Sequence, residues 1–268
     1  MLAGWKVALR ETLARWDDPF YDANMKSVSV SPLFTRMKLE PNSSIPIREQ
    51  TVAALRDAIN DFRLRPGERL IEREFIEYLG ISRTTFREAI RELATEGLVT
   101  VVAQKGARVS APSLAEAIDL YDIRASLESL LVSRFVERAT VSEMDALVGT
   151  VELFRLVVEE TTDTIALLNS KESFYQVLIV GARSPVLEQQ LVSIKARSRV
   201  LRATSLSKPG RAAATLAELS ELASAIVERD SPRAMKLCSQ HVRNAGEIAL
   251  AGLRASVVGG PDAAEWLA

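Results

Sequence analysis

The chain has 268 residues, of which 34 are basic, 35 acidic and one is histidine, giving a formal net charge of −1. This length predicts two domains, and the 47% apolar content is typical of a globular protein and excludes a disordered chain. There is no apolar run of about 18 residues, no secretory signal and only one cysteine, Cys238, so we expect a cytoplasmic protein without a membrane helix, a disulfide or a cysteine-based zinc site.

Residues 1–45 form an N-terminal extension. A short amphipathic stretch from Trp5 to Trp16 is followed by turn- and loop-forming sequence. We interpret this extension as flexible, or as the result of a start codon placed too early, since Met25 and Met37 offer later starts. The alternative is an arm that contacts DNA or a partner subunit.

Residues 46–111 have the pattern of a winged helix-turn-helix. Apolar spacing predicts helices over 47–62, 72–79 and 84–96, with Gly97 ending the third. Residues 98–103 and 107–111 are rich in β-branched side chains and predict two strands around a Q-K-G turn, which would form a small β-hairpin wing.

The third of these helices has a cationic side and an apolar side. Arg83, Arg87 and Arg91 are spaced by four residues and therefore form one stripe. A separate face is apolar and is made by Phe86, Ala89, Ile90 and Leu93. The preceding Y-L-G-I-S supplies a turn glycine and Ser82 as an N-cap. This arrangement predicts a helix that enters the major groove of DNA.

Residues 112–257 are helical in pattern throughout. Capping and breaking residues divide them into predicted helices at 113–138, 141–160, 163–181, 184–204, 211–229 and 232–257. Helices of this length can bury a common core, so we predict an all-α six-helix bundle and a mostly α protein. Residues 258–268 are predicted to be a loose tail.

The string L-R-P-G-E-R-L-I-E-R-E-F-I-E-Y-L-G-I-S-R-T-T-F-R-E-A-I-R-E-L-A-T-E-G-L-V, residues 64–99, resembles the GntR family of bacterial transcription regulators in its FadR-type branch. Y-D-I-R-A-S-L-E, residues 121–128, resembles the start of that branch's C-terminal ligand-sensing domain, called FCD. The resemblance covers about residues 47–255. It implies an effector-binding and dimerisation domain over 112–257, a homodimer, a palindromic double-stranded DNA operator and an effector that changes DNA affinity.

The resemblance also implies a set of DNA-contacting positions. These are Arg73, Arg83, Thr84, Thr85 and Arg87, with Gly106 at the wing tip and Lys105 beside it. Arginine can bond the O6 and N7 of guanine bidentately, and threonine can reach phosphates or a thymine methyl group. Arg73 has the alternative of an ordinary surface residue. Arg91, farther along the helix, is expected to contact the DNA backbone or to be solvated.

FCD domains of the common kind bind a divalent metal through an Asp-x-x-x-His pair and one histidine on each of two later helices. In this chain, Lys171, Tyr175 and Leu219 occupy three of those positions, and only His241 matches. A lysine ammonium repels a cation and offers it no lone pair. We therefore infer that the metal site of the family is lost, and we expect no cofactor.

The lysine suggests a different way to bind an effector. Our hypothesis is that Lys171 supplies the positive charge and binds a small organic acid directly, with Arg124 as a second carboxylate anchor. Tyr175 and His241 would be hydrogen-bonding neighbours. The alternatives are that Lys171 pairs with a glutamate or points to solvent, and that His241 is a polar residue satisfied within the bundle.

The sequence predicts a DNA-binding transcriptional regulator that responds to a small organic acid. We expect it to repress transcription. One alternative is a DNA-binding regulator whose helical domain only dimerises and no longer senses a ligand. A second alternative, an enzyme, lacks the clustered histidine, cysteine or paired carboxylates that a catalytic site needs.

Overall fold

The computed structural model describes residues 37, 39–40 and 44–258. Most of the predicted N-terminal extension and nearly all of the predicted tail lie outside these residues. Within the described part, ten helices and one small antiparallel sheet confirm the mostly α fold. None of these helices is both long enough and apolar enough to cross a membrane.

The first part of the described chain is a winged helix-turn-helix. Its elements are α1 (Ile47–Asn60), β1 (Arg69–Leu70), α2 (Glu72–Leu79), α3 (Arg83–Thr95), β2 (Val99–Val102) and β3 (Gly106–Val109). The sheet has the order β1–β3–β2, and both pairs are antiparallel. The prediction missed β1, because its two residues follow a Pro-Gly turn and are too few to show a strand pattern. Pairing of β1 with β3 attaches the wing to the segment that leads into α2.

The turn between α2 and α3 forms as the sequence predicts. Gly80 ends α2 with a left-handed backbone, φ 64° and ψ 32°, which glycine adopts without a steric penalty. Ser82 has extended angles and its Oγ accepts a hydrogen bond from the Thr85 amide at 3.0 Å, so the predicted N-cap is confirmed. Gly97, with φ 79°, follows the end of α3, also as predicted.

The three N-terminal helices share a small apolar core. Leu55 of α1 and Ala89 and Leu93 of α3 are fully buried, and these two helices pack together. The rings of Phe75 and Phe86 stack with centroids 5.7 Å apart. Because α3 buries this face, its arginine stripe is left at the surface.

The second part of the described chain has seven helices. They are α4 (Leu114–Arg138), α5 (Val141–Glu160), α6 (Thr164–Ala182), α7 (Pro185–Arg197), α8 (Arg199–Leu206), α9 (Arg211–Val227) and α10 (Ser231–Val258). The prediction had one helix over 184–204, which the structure divides at Ser198. This serine has φ −91° and ψ 1°, and its hydroxyl donates to the Lys195 carbonyl, a local bond that competes with regular helix geometry.

The bundle core is dense at the crossing of α4, α6 and α9. Phe135, Leu178 and Ile226 are fully buried there. A Cβ at Gly181 would come within 2.4 Å of the Phe135 ring, so a glycine is needed where α6 passes α4. α4 and α10, the two longest helices, pack along each other. This packing leaves several polar side chains from different helices facing one another inside the bundle.

The α7–α8 junction contacts the winged helix-turn-helix. Arg199 donates its Nε–H to the Asn60 carbonyl at the end of α1, at 2.7 Å. The Arg197 side chain lies over Gly97, where an added Cβ would be 2.7 Å from its Cγ. The break at Ser198 therefore lies between two arginines that contact the DNA-binding part.

Candidate DNA-binding surface and buried effector site

Two arginines at the start of α3 are held by one carboxylate. The Nε atoms of Arg83 and Arg87 lie 3.1 and 3.2 Å from the two Glu72 oxygens. The arginine side chains remain 73% and 57% exposed. Because each ion pair uses Nε, the Nη groups remain available for the bidentate contacts that an arginine makes with guanine. The sequence analysis did not predict the role of Glu72, which lies at the start of α2 and pairs with two side chains of α3.

The other predicted DNA-contacting positions lie at the surface. Thr84 and Arg73 are exposed on α3 and α2. Thr85 is half-buried, and its Oγ1 lies 2.9 Å from Ser82 Oγ, so part of its hydrogen-bonding capacity is used at the helix cap. On the wing, Lys105 and Gly106 are exposed, and Gly106 has φ 84°.

Arg91 is also exposed, two turns along α3 from Arg83. The structure therefore places Arg83 and Arg87 together on Glu72 and leaves Arg91 outside this group.

The four predicted effector residues are all buried. The exposed fractions are 1% for Arg124, 5% for Lys171, 2% for Tyr175 and 1% for His241. They belong to what we call the polar cluster, a set of charged and polar side chains from α4 and α6–α10: Arg124, Glu128, Lys171, Glu172, Tyr175, Lys195, Arg202, Arg211, Glu218 and His241. The four predicted residues all lie in this cluster, but they are fewer than half of its members.

Arg124 and Glu128 form an ion pair on successive turns of α4. Arg124 Nε donates to Glu128 Oε1 at 2.8 Å, and each side chain is 1% exposed. Burial raises the pKa of Glu128, but the charge and hydrogen bond of Arg124, together with Tyr175 and Lys171, outweigh it and the pKa is lowered. Both residues are therefore charged at neutral pH. Arg124 Nη1 is buried and has no hydrogen-bond partner among the described residues.

Among the described residues, Lys171 has no carboxylate of its own. The three carboxylates of the cluster pair with other residues: Glu128 with Arg124, Glu172 with Lys195 and Arg202, and Glu218 with Arg211 and His241. The Lys171 ammonium instead lies over the Tyr175 ring, 5.9 Å from its centroid.

Burial and repulsion by Arg124 lower the pKa of Lys171 to about 7. Lys171 is buried and forms no ion pair with a glutamate among the described residues, which argues against the alternatives of a glutamate pair or a solvated lysine. A bound anion would raise this pKa and keep the ammonium protonated.

A second cationic centre surrounds Glu172. Arg202 Nη1 donates to Glu172 Oε2 at 3.0 Å, and Lys195 donates to the other oxygen. Lys195 also lies over the Tyr175 ring, 5.3 Å from the centroid, on the same residue that Lys171 contacts. Arg202 Nε is buried without a hydrogen-bond partner in the described part of the chain. The sequence analysis did not predict Lys195 and Arg202 as site residues, because basic residues in a helix ordinarily lie at the surface.

His241 is joined to a third carboxylate. Its Nδ1 lies 2.5 Å from Glu218 Oε2, and Arg211 binds both oxygens of Glu218 at 2.8 Å. Burial and the Lys171 charge lower the pKa of His241 to about 4, so its ring is neutral at pH 7. The Nδ1 proton then points to Glu218. Nε2 is left as a buried acceptor that contacts no donor among the described residues.

These residues do not fit the divalent metal of the common FCD site. At the four positions that match its ligands, the chain has a buried ammonium on Lys171, the phenol of Tyr175, the alkyl chain of Leu219 and one imidazole. Burial and the Glu128 charge raise the pKa of the phenol well above its usual value, so it offers no phenolate. Among the described residues, no group of three metal-binding side chains occurs. A single neutral imidazole beside an ammonium is a poor ligand set for a divalent ion.

Comparisons with known proteins agree with both parts of the fold. Residues 47–109 match the model of the bacterial regulatory proteins of the gntR family, and residues 119–244 match the FCD domain. The chain is 34% identical to the Nta operon transcriptional regulator of Aminobacter aminovorans, over 53% of this chain and 66% of that protein. It is also 34% identical to the HTH-type transcriptional repressor GlaR of Escherichia coli strain K12, over 58% of this chain and 74% of that protein.

Among solved structures, a GntR-type transcriptional regulator from Rhodococcus sp. RHA1 has the same fold. It superposes with a TM-score of 0.65 at 23% identity and covers 76% of this chain and 97% of its own. The matched family and the relatives are transcriptional regulators and not enzymes. The chain therefore belongs to the GntR family of DNA-binding bacterial transcriptional regulators, and its helical part is an FCD domain.

Proposed function

We propose that this regulator is a repressor, acting in the cytoplasm, whose DNA affinity is set by a small organic acid bound at the polar cluster. The observation that supports it most directly is Lys171, a buried lysine with no carboxylate partner in the described part of the chain. Burying an unpaired charge costs several kcal/mol, so an anionic ligand would offset a cost already present in the folded protein. Repression is supported by the name of GlaR, a repressor.

The proposed DNA contacts are those of α2, α3 and the wing. Arg83 and Arg87 would read base edges, while Arg73, Thr84, Thr85, Lys105 and the backbone at Gly106 would fix the protein on the phosphates. A homodimer would place two copies of α3 in successive major grooves, about 34 Å apart on a palindromic operator. Exposed Ile123 and Leu130, two turns apart on one side of α4, are apolar residues that such a dimer would cover.

A thermal-shift screen with small organic acids tests the effector directly. An acid at one hundred times its Kd should stabilise the folded protein by about 2.7 kcal/mol. Lys171→Met should remove this shift, whereas the matched variant Lys236→Met, on the exposed face of α10, should retain it. An acid that stabilises the Lys171→Met protein as strongly as the wild type would refute the role of Lys171.

The alternative is a regulator whose bundle only dimerises. The ion pairs Arg124–Glu128 and Arg211–Glu218 favour it, because each joins protein side chains to one another, as in a structural polar core. The two functions differ in a mobility-shift assay on a selected operator. Under the dimer-only function, no acid that fits the cluster changes the fraction of DNA bound.

A further inference from the structure

We infer that the effector is a small acid with two separated anionic groups, one bound at Lys171 and the other at Lys195 and Arg202. The inference rests on the proposed effector function and narrows its ligand class from organic acids to dianions. It starts from the balance of charge in the polar cluster.

The polar cluster contains more cations than carboxylates. The cations are Arg124, Lys171, Lys195, Arg202 and Arg211, each less than 10% exposed, and the carboxylates are Glu128, Glu172 and Glu218. With Lys171 protonated, five positive charges meet three negative charges, which leaves an excess of two. Half-buried Arg199 lies at the edge and is outside this balance, because its guanidinium bonds to Asn60 and Asn169.

The two excess positive charges lie at two separate places in the polar cluster. Glu128 neutralises Arg124, and Glu218 neutralises Arg211, since each pair is joined at 2.8 Å. Glu172 is shared by Lys195 and Arg202, so that group retains one positive charge. Lys171 carries the second uncompensated positive charge. A single carboxylate would neutralise only one of these two centres.

The separation of the two centres limits the size of the ligand. The Lys171 and Lys195 ammonium nitrogens lie 5.9 and 5.3 Å from the centroid of the same Tyr175 ring, so they are at most about 11 Å apart. Charge-assisted N–H···O bonds take about 2.8 Å at each end. Two oxygens that lie between the nitrogens, on the line that joins them, are then at most about 5 to 6 Å apart, which suits a short dicarboxylate.

Buried donors without a partner occur on three of the helices that form the polar cluster. Arg124 Nη1 on α4, Arg202 Nε and the Ser205 hydroxyl on α8, and the Thr215 hydroxyl on α9 have no hydrogen-bond partner among the described residues. Two buried acceptors of the cluster, Glu128 Oε2 and His241 Nε2, are also without a partner among the described residues. Buried polar groups are nearly always bonded, so the four donors are groups that a ligand could satisfy. Together with the Lys171 ammonium they exceed what the two oxygens of one carboxylate can accept, whereas two anionic groups would satisfy them.

Calorimetry on the full chain with chain-length-matched acids tests the inference without any substitution. We expect succinate and glutarate to bind at least tenfold more tightly than butyrate and valerate, and 3-phosphonopropionate extends the comparison to a phosphorus dianion. If butyrate binds as tightly as succinate, the dianion inference is wrong while the effector function stands. If no acid of either kind binds, the proposed effector function itself fails.

Arg202→Gln locates the second anionic group. In this variant, succinate and butyrate should bind with affinities within twofold of each other, and Arg202→Lys, which keeps the charge, should restore part of the preference. Arg155→Gln removes the same charge from the surface of α5 and should keep the full preference. A tenfold preference that survives in Arg202→Gln would overturn the assignment. Should that variant not fold, the comparison of acids on the wild type still decides between one and two anionic groups.

Discussion

At the start of α3, Arg83 and Arg87 are mostly exposed and share one carboxylate, whereas in α4 the fully buried Arg124 has its own carboxylate in Glu128. The same kind of ion pair therefore lies in water at one place and in the protein interior at the other. An exposed pair is screened by water and is easily exchanged for a DNA phosphate or base. A buried pair is held by the cost of leaving either charge alone. The protein's DNA-binding surface can therefore stay charged and exposed before DNA binds. The charge of the buried polar cluster must instead be balanced by the protein itself or by a ligand.

The largest expected effect comes from breaking the buried pair. Glu128→Gln leaves the Arg124 charge without a partner and should lower the free energy of unfolding by about 3–5 kcal/mol. Urea unfolding of the ligand-free protein measures the change. A loss below 1 kcal/mol would mean that Arg124 finds water or another anion, and the contrast with the exposed arginines would disappear.

The exposed arginines should affect recognition and leave stability largely unchanged. Arg87→Ala should weaken binding at a single base position by about 1–3 kcal/mol if Arg87 reads a guanine. Operator selection from random DNA with the wild type and the variant measures this. An equal loss across all sequences would reassign Arg87 to the phosphate backbone, and Arg91→Ala, farther along α3, should show that uniform pattern or no loss.

Lys171 should make stability depend on pH in a direction opposite to that of a paired lysine. The pKa of Lys171 in the folded protein, about 7, lies below the usual lysine value of 10.5, so the unfolded chain binds the extra proton between these two pH values. Stability should therefore rise with pH across this window, by at most about 1.4 kcal/mol per pH unit. The charged groups that face Lys171 are Arg124, Glu128, Arg202 and Arg211.

Unfolding of the wild type and Lys171→Met at several pH values between 7 and 10 isolates this contribution, because other groups titrate equally in both proteins. The unfolding free energy of the wild type should rise with pH relative to that of Lys171→Met. A difference that stays constant would show that Lys171 does not titrate in this range.

The smallest effect is expected at the exposed carboxylate. Glu72→Gln should change the free energy of unfolding by less than 1 kcal/mol, because the pairs with Arg83 and Arg87 are exposed to water. It should nevertheless reduce the ratio of specific to non-specific DNA affinity, since both guanidinium groups lose the contact that orients them. An unchanged ratio would mean that α3 orients its arginines without Glu72.

Local signals predicted the DNA-binding part well. Gly80, Ser82 and Gly97 act through their own backbone angles or through hydrogen bonds to near neighbours, so their positions in the sequence were sufficient. The same reasoning missed the break at Ser198, because a serine in a helical pattern carries no fixed angle as proline does.

The polar cluster was predicted less completely, because burial is a property of the assembled bundle. Arg124 and Lys171 entered through the family resemblance. Lys195, Arg202 and Arg211 have spacings that suit a solvated helix face, and only the packing of six helices turns them inward. Glu128, four residues after Arg124, was readable as a helical ion pair, yet nothing in the local sequence indicated that the pair lies in the core.

The helix α8 is only eight residues long and joins the two binding regions. Arg199 at its first residue contacts the end of α1, and Arg202, about 4.5 Å farther along the axis, belongs to the polar cluster. A shift of this short helix would therefore change contacts in both the DNA-binding part and the polar cluster. If the proposed acid binds there, thermodynamic linkage requires reciprocity: the factor by which the acid changes the affinity for operator DNA is the factor by which operator DNA changes the affinity for the acid.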